Sequence, residues 1–270
     1  MAALQEVLVP DSDTVFFVHV MKTGGTTVLQ SLRRTYPAEA RYPEGGIDSL
    51  ISSKGSPQAL FDLDAQRREG LRFIAPHVPL SAALQFQREA QRNVNITLVL
   101  RDGLDRAVSH LRQVARRFDY AYSYRELLDL PLLGNFFLSN HQVRALTAGV
   151  NDWPLWEACF SALGMLESYL DGEVENFAVA PVPERALPMA IASFGALDVL
   201  GLQGDFDNWW QRCHRRYGWP QAPIADTNVG AAREPAQAPS ISASILDELR
   251  ERNQLDTQLY AAARKLQQAS

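Results

Sequence analysis

Val15-Phe16-Phe17-Val18-His19-Val20-Met21-Lys22-Thr23-Gly24-Gly25-Thr26-Thr27-Val28-Leu29 changes character twice over a short span. Residues 14–20 are almost continuously apolar and rich in β-branched and aromatic side chains, the pattern of a strand buried on both faces of a parallel sheet. The run then breaks into Lys22-Thr23-Gly24-Gly25-Thr26-Thr27 and resumes at helical spacing to about Arg34. Strand, tight loop and helix in that order make an anion-binding turn. Two glycines let backbone approach the anion, the Thr hydroxyls and first helical N–H groups donate to it, and Lys22 adds a full charge.

The same order recurs downstream. Residues 71–77 predict a second strand that delivers His77 at its end, with Ser81 capping the next helix. Residues 95–100 predict a third strand, ended by Arg101 and followed by a helix over 104–118. Three such units within the first 120 residues predict an α/β fold with a central parallel sheet, flanking helices and a P-loop-like strand-loop-helix cofactor site. In open α/β sheets ligands bind outside the carboxyl ends of the strands. Lys22, His77 and Arg101 are therefore expected on one edge.

The rest of the chain is read as one domain over residues 1–270. A loop spans 37–58, with weak helix over 59–69. A helical acceptor-side subdomain occupies about 119–170. Short strands follow at 177–181 and 197–200, with helices near 184–194 and 204–217. A Pro- and Ala-rich loop over 219–239 precedes one long amphipathic helix at about 240–267, starting at Ser240.

Composition narrows the function. Hydrophobic residues make up 46% of the 270 and the net charge is -5, against a general nucleic-acid or anionic-membrane binder. Cys159 and Cys213, without a CxxC pair or adjoining histidines, support neither a disulfide framework nor a zinc site. The N-terminus lacks a basic, then apolar, leader, and no run of ~18 apolar residues occurs, so a cytoplasmic protein with no membrane span is expected. Only three residues are Lys, and one of them, Lys22, sits in the glycine loop.

A nucleotide triphosphate loop needs G-x-x-x-x-G-K-[ST], with Lys after the glycines. Here Lys22 precedes them and the upstream Gly is missing. Asp102 imitates a magnesium-binding Asp, but Arg101 directly before it is a poor metal neighbour. A P-loop nucleotide kinase or NTPase is thus the alternative enzyme reading, and a non-catalytic nucleotide-binding module is the alternative without turnover.

Val18–Thr27 (VHVMKTGGTT) and Val99–Leu111 (VLRDGLDRAVSHL) together resemble the two cofactor motifs of sulfotransferases that use 3′-phosphoadenosine-5′-phosphosulfate (PAPS), in particular the carbohydrate and heparan 2-O-type branch. Ala75–Leu80 is similar to that family's Gly-His-x-Pro segment, and Asn140–Leu146 to its Asn-x-Gln-Thr-Arg-x-Leu segment. Asp198–Leu202, Asp205–Asp207, Tyr217–Trp219 and Thr227–Val229 resemble its later landmarks, so the resemblance covers nearly the whole chain.

The resemblance implies that Lys22, Thr23, Gly24, Gly25, Thr26 and Thr27 hold the 5′-phosphosulfate, while Arg101 and Ser109 hold the 3′-phosphate. It implies His77 as base toward a hydroxyl of a glycan, lipid or small molecule, adenosine 3′,5′-bisphosphate as product, and no required metal. Glu44, Asp48 and His141 are alternative bases. Met21 and Gly103 stand where the family usually has Pro, Ala75-Pro76 replaces a Gly-type approach to His77, and Gly230 replaces Ser or Thr.

The neighbouring residues have plainer expectations. Arg106 either faces the cofactor or pairs with Asp102, the second being read first, and His19 is read as a satisfied core histidine. Asn140, Gln142 and Arg144 either line the acceptor site or brace the helical region. Arg112, Arg116 and Arg117 are read as a solvated helix face, with a face for an anionic acceptor as the alternative, and the five Trp are read as packing before any sugar platform.

Overall fold

The computed structural model describes residues 13–44, 56–175, 178–223 and 238–269. Five parallel strands form its sheet in the order β2-β3-β1-β4-β5. They are β1 (Thr14–Phe17), β2 (Arg41–Tyr42), β3 (Phe73–Ile74), β4 (Val94–Leu100) and β5 (Val199–Leu202). β1 pairs with β3 on one side and β4 on the other, in register Val15 with Phe73 and Phe16 with Ile96. Chain leaving β1 runs toward β2, while chain leaving β4 runs toward β5. The crevice where a ligand fits such a sheet therefore opens between the ends of β1 and β4.

Side-chain alternation explains why both faces are covered. Val15, Phe17, Phe73, Val99 and Val199 point to one face, where they pack with α1 (Gly25–Leu32) and α11 (Phe206–Tyr217). Phe16, Ile74, Ile96, Leu98, Leu100, Leu200 and Leu202 point to the other. There they meet α4 (Leu80–Glu89), α10 (Ala186–Ala192) and α13 (Gln254–Gln268). All seven residues of β4 are buried, as a central parallel strand requires. Its buried Thr97 donates to the Val199 carbonyl at 2.6 Å, so the polar side chain is satisfied inside the sheet.

The middle of the chain is helical: α5 (Gly103–Arg117), α6 (Tyr124–Asp129), a π-helical turn over Leu132–Phe137, α7 (His141–Thr147), α8 (Trp153–Gly164) and α9 (Leu166–Leu170). Asp102 caps α5 by accepting from the Asp105 N–H, and Ser123 and Glu126 form a reciprocal capping box on α6. The apolar sides of these helices, with α12 (Ala243–Arg252), enclose a separate cluster that also takes in Val20 and Met21. Met21, in place of Pro, is thus a core residue where the first loop meets the helices.

The structure corrects several expectations. β2 lies inside the stretch read as loop, because only two of its residues pair. The helical character expected over 59–69 is borne out, divided between two capped helices, α2 (Pro57–Phe61) and α3 (Ala65–Gly70). Ser81 does not cap α4: Pro79 is the N-cap, and the Ser81 hydroxyl instead accepts from the Trp153 indole at 3.0 Å. Residues 178–181 are not a strand, and the Ala180 carbonyl is held by Arg144 at 2.8 Å. Phe177, Asp48, Thr227–Val229 and Gly230 lie outside the described residues.

The C-terminal helix is two helices, α12 and α13, capped at Ser242 and broken at Asn253. Asn253 is fully buried, and its amide donates to the Leu138 and Leu249 carbonyls at 2.6 and 2.8 Å. All five Trp are buried, so none offers a platform to a sugar. Among the described residues, no helix is long and apolar enough to cross a membrane.

Candidate functional site

The loop between β1 and α1 departs from ordinary backbone geometry at two places. Gly24 has φ 107°, open to glycine, but Lys22 has φ 70°, a left-handed conformation that costs a side-chain-bearing residue of order 1 kcal/mol. Such a conformation persists where the surroundings hold it. The Thr23 hydroxyl donates to the Val20 carbonyl at 3.0 Å, and Arg101 Nη1 donates to the Lys22 carbonyl at 3.3 Å. α1 starts at Gly25 with no side-chain cap, which leaves its first N–H groups toward the loop. Thr26 is half-buried there and Thr27 buried.

Gly25 has a separate reason. A Cβ built on it would lie 1.9 Å from His19 Nε2, so only glycine lets the imidazole lie across the start of α1. His19 is buried as a core histidine is expected to be, but its Nδ1 has no hydrogen-bond partner among the described residues. Its ring centroid is 3.9 Å from that of His77, and its carbonyl accepts from His77 Nδ1 at 2.7 Å. A carbonyl only accepts, so the proton resides on Nδ1 and the lone pair on Nε2. The His77 carbonyl accepts from the Trp156 indole at 2.8 Å, and its ring stacks on Phe160. Burial lowers the His77 pKa to about 4, opposed by its bond to His19, so the ring is neutral at pH 7.

Arg101 follows β4 directly and Ser109 lies in the second turn of α5. The Ser109 hydroxyl is half-buried and has no hydrogen-bond partner among the described residues. Arg101 Nε is buried without a partner. Lys22 has no carboxylate beside it among the described residues. Burial first, then the positive charges of Arg116, Arg101 and Arg106, lower its pKa to about 8. A half-buried Lys22 with no such carboxylate beside it, next to an Arg101 whose buried Nε is left open, makes a site that an anion would complete. Lys22, Thr23–Thr27 and Arg101 are thus together at the crevice. His77 is joined to the same loop through His19.

Arg106 does not pair with Asp102. It is fully buried, donates through Nη2 to the Phe137 carbonyl at 2.7 Å, and faces Asp256 at 3.7 Å. Asp102 instead serves α5 as its cap. The other candidate bases are elsewhere: Glu44 pairs with Arg67 at 2.7 Å near β2, and His141 is buried, bonded to the Phe136 carbonyl and stacked on Trp156. Arg144 braces, donating to the Asn135 and Ala180 carbonyls and lying over the Phe136 ring. Arg117 likewise is not merely solvated, since it donates to the Leu163 carbonyl at 2.9 Å.

Sequence reasoning passed over Asn253 and Asp256, both fully buried polar residues close to Arg106 and Asn140. The only signal was Asn253-Gln254 within an otherwise regular helical stretch, a weak break. Gly103 was noted as a departure, and its reason is now visible. A Cβ there would come within 2.9 Å of the Asn253 carbonyl and of Asp256 Cβ, so α13 closes directly on the start of α5. No protein-family model matches the chain, and no curated protein sequence matches it.

Proposed function

We propose that this protein transfers a sulfuryl group from PAPS to a hydroxyl of a carbohydrate or other alcohol, using a P-loop-like site at the β1–α1 loop. The observation that carries the reading is the Arg101–Lys22 contact of 3.3 Å, which joins the two motifs at the crevice between β1 and β4. The residues suit a ligand with two phosphate groups: Lys22 and the Thr23–Thr27 turn are one anion-binding element, and Arg101 with Ser109 is the other. The open Nε of Arg101 and the uncompensated charge of Lys22 are what such a ligand would satisfy.

PAPS supplies the sulfuryl group and a phosphate leaving group. Lys22 places positive charge where negative charge develops, and the turn's backbone N–H groups add fixed dipoles that need no reorganisation. His77 holds a neutral imidazole with Nδ1 committed to the His19 carbonyl, so Nε2 is the atom that takes a proton from an acceptor hydroxyl. The His77 ring stacks on Phe160 and lies tilted against His19, contacts that help to hold that orientation.

Calorimetry with adenosine 3′,5′-bisphosphate and with ATP plus magnesium tests the cofactor class. Binding of the bisphosphate in preference to ATP is expected, and the reverse order replaces this reading with a nucleotide kinase. Transfer of labelled sulfate from PAPS across a panel of hydroxyl compounds then separates an enzyme from a nucleotide-binding module.

A further inference from the structure

Arg101 stands one residue beyond the last ladder pair of β4, Leu100 with Leu202. Its backbone N–H and C=O are therefore past the sheet, yet both are satisfied by one side chain. Gln142 Oε1 accepts from the Arg101 N–H at 2.9 Å, and Gln142 Nε2 donates to the Arg101 carbonyl at 2.7 Å. A side-chain amide has one accepting and one donating end, so it substitutes for the missing neighbouring strand.

Gln142 is itself fully buried and held from the C-terminal helix. Asp256 Oδ2 accepts from Gln142 Nε2 at 3.4 Å and from the Gln142 backbone N–H at 3.1 Å, while Oδ1 accepts from the Val143 N–H at 2.9 Å. A carboxylate accepts only, so it fixes which end of the Gln142 amide faces which atom of Arg101. Asn140 and Asn253 lock the same joint: the Asn140 side chain accepts from the Leu255 and Asp256 N–H groups, and the Asn253 side chain accepts from the Asn140 N–H.

We propose that Gln142 and Asp256 are positioning residues for Arg101, with α13 aiming the Arg101 guanidinium at the anion site by holding the Gln142 amide on its backbone. This rests on the reading of Arg101 as a 3′-phosphate ligand. A purely structural joint would stabilise the fold without changing which nucleotide binds. A positioning joint acts most strongly on the 3′-phosphate, which Arg101 itself would hold, and less on the phosphate at the Lys22 loop, which Arg101 reaches only through the Lys22 carbonyl.

The test compares dissociation constants of adenosine 3′,5′-bisphosphate and adenosine 5′-monophosphate for the wild type and Gln142→Met, which keeps the volume and removes both bonds to Arg101. The wild type is expected to prefer the bisphosphate. Gln142→Met is expected to lose about tenfold or more of that preference, with monophosphate affinity within about twofold of wild type. Should the variant fail to fold by circular dichroism, Gln142→Glu serves instead: it keeps an acceptor for the Arg101 N–H, loses the donor to its carbonyl, and is expected to lose preference in the same sense. A preference ratio unchanged in the folded variant, or equal weakening of both nucleotides, overturns the positioning role while leaving the anion-site reading intact. A wild type without preference for the bisphosphate overturns both.

Discussion

Arg101 reaches back across 79 positions of sequence and donates through Nη1 to the carbonyl of Lys22 at 3.3 Å. One guanidinium therefore bridges the loop after β1 and the end of β4, and it supports the left-handed turn in which Lys22 stands. The Lys22 carbonyl helps set where the guanidinium lies, while the two positive charges repel, and Arg101 helps to lower the Lys22 pKa.

That dependence predicts unequal losses. Arg101→Ala is expected to weaken adenosine 3′,5′-bisphosphate by about 1.5–3 kcal/mol, the range for a lost hydrogen bond to a charged group. Arg101→Lys is expected to recover only part, since an ammonium cannot span carbonyl and phosphate as a planar fork does. Calorimetry on the three proteins checks this, and full recovery in Arg101→Lys would reduce the role of Arg101 to charge alone.

Lys22 gives the binding a pH dependence. Its pKa is lowered to about 8 by burial and by neighbouring positive charge, so the free site loses that charge above about pH 8. Bisphosphate affinity is expected to fall by up to about tenfold per pH unit above that point, the limit for one proton. Lys22→Ala should bind weakly and show no such decline; a variant that keeps the decline would assign the titration to another group.

His77 separates chemistry from cofactor binding. With Nδ1 on the His19 carbonyl, its Nε2 is the accepting atom. His77→Ala is expected to lower kcat by about 10²–10⁴-fold while bisphosphate affinity stays within about twofold. Steady-state rates beside calorimetry check the two halves, and an unaltered kcat would exclude His77 as base.

The same ring makes the fold acid-sensitive. Burial holds its pKa at about 4 against an ordinary 6.5, so between those values the unfolded chain binds a proton that the folded chain does not. Stability is therefore fully present above pH 6.5 and declines as pH falls toward 4. His77 alone is expected to lose about 2 kcal/mol between pH 7 and pH 5. His19, His110 and His141, lowered chiefly by the same burial, act in the same direction. Urea unfolding at both pH values measures it, and equal midpoints would contradict the burial of these rings.

Gly103 tests the closure of α13 on α5. Gly103→Ala places a methyl within 2.9 Å of the Asn253 carbonyl, which is backbone and cannot turn aside. A loss of about 1–3 kcal/mol in unfolding free energy is expected, as for overpacking elsewhere. No loss would mean that the α5–α13 joint is looser than its geometry.

Much of the fold was legible because it rests on local patterns. The apolar runs 14–20 and 95–100, which hold β1 and most of β4, and the helix that follows Arg101 were readable from a few adjacent residues, whereas the end of β1 at Phe17 and the capping by Asp102 were not. Strand lengths were less so: residues 71–77 look like a full strand, but only Phe73 and Ile74 pair, a matter of where β2 and β1 end. The single helix read over 240–267 divides at Asn253, which turns its side chain inward to Leu138 and Asn140 in the link between the π-helical turn and α7.

What the sequence by itself determined is the parallel α/β pattern and that Lys22, His77 and Arg101 follow β1, β3 and β4, since alternation, glycine turns and helical spacing are properties of short segments. Tertiary structure decided that Arg106 faces Asp256 instead of Asp102, that His19 lies over Gly25 against His77, and that Gln142 meets Asp256 from 114 positions away. A buried donor takes whichever acceptor the packed helices bring to it, and that choice is made by packing between distant segments.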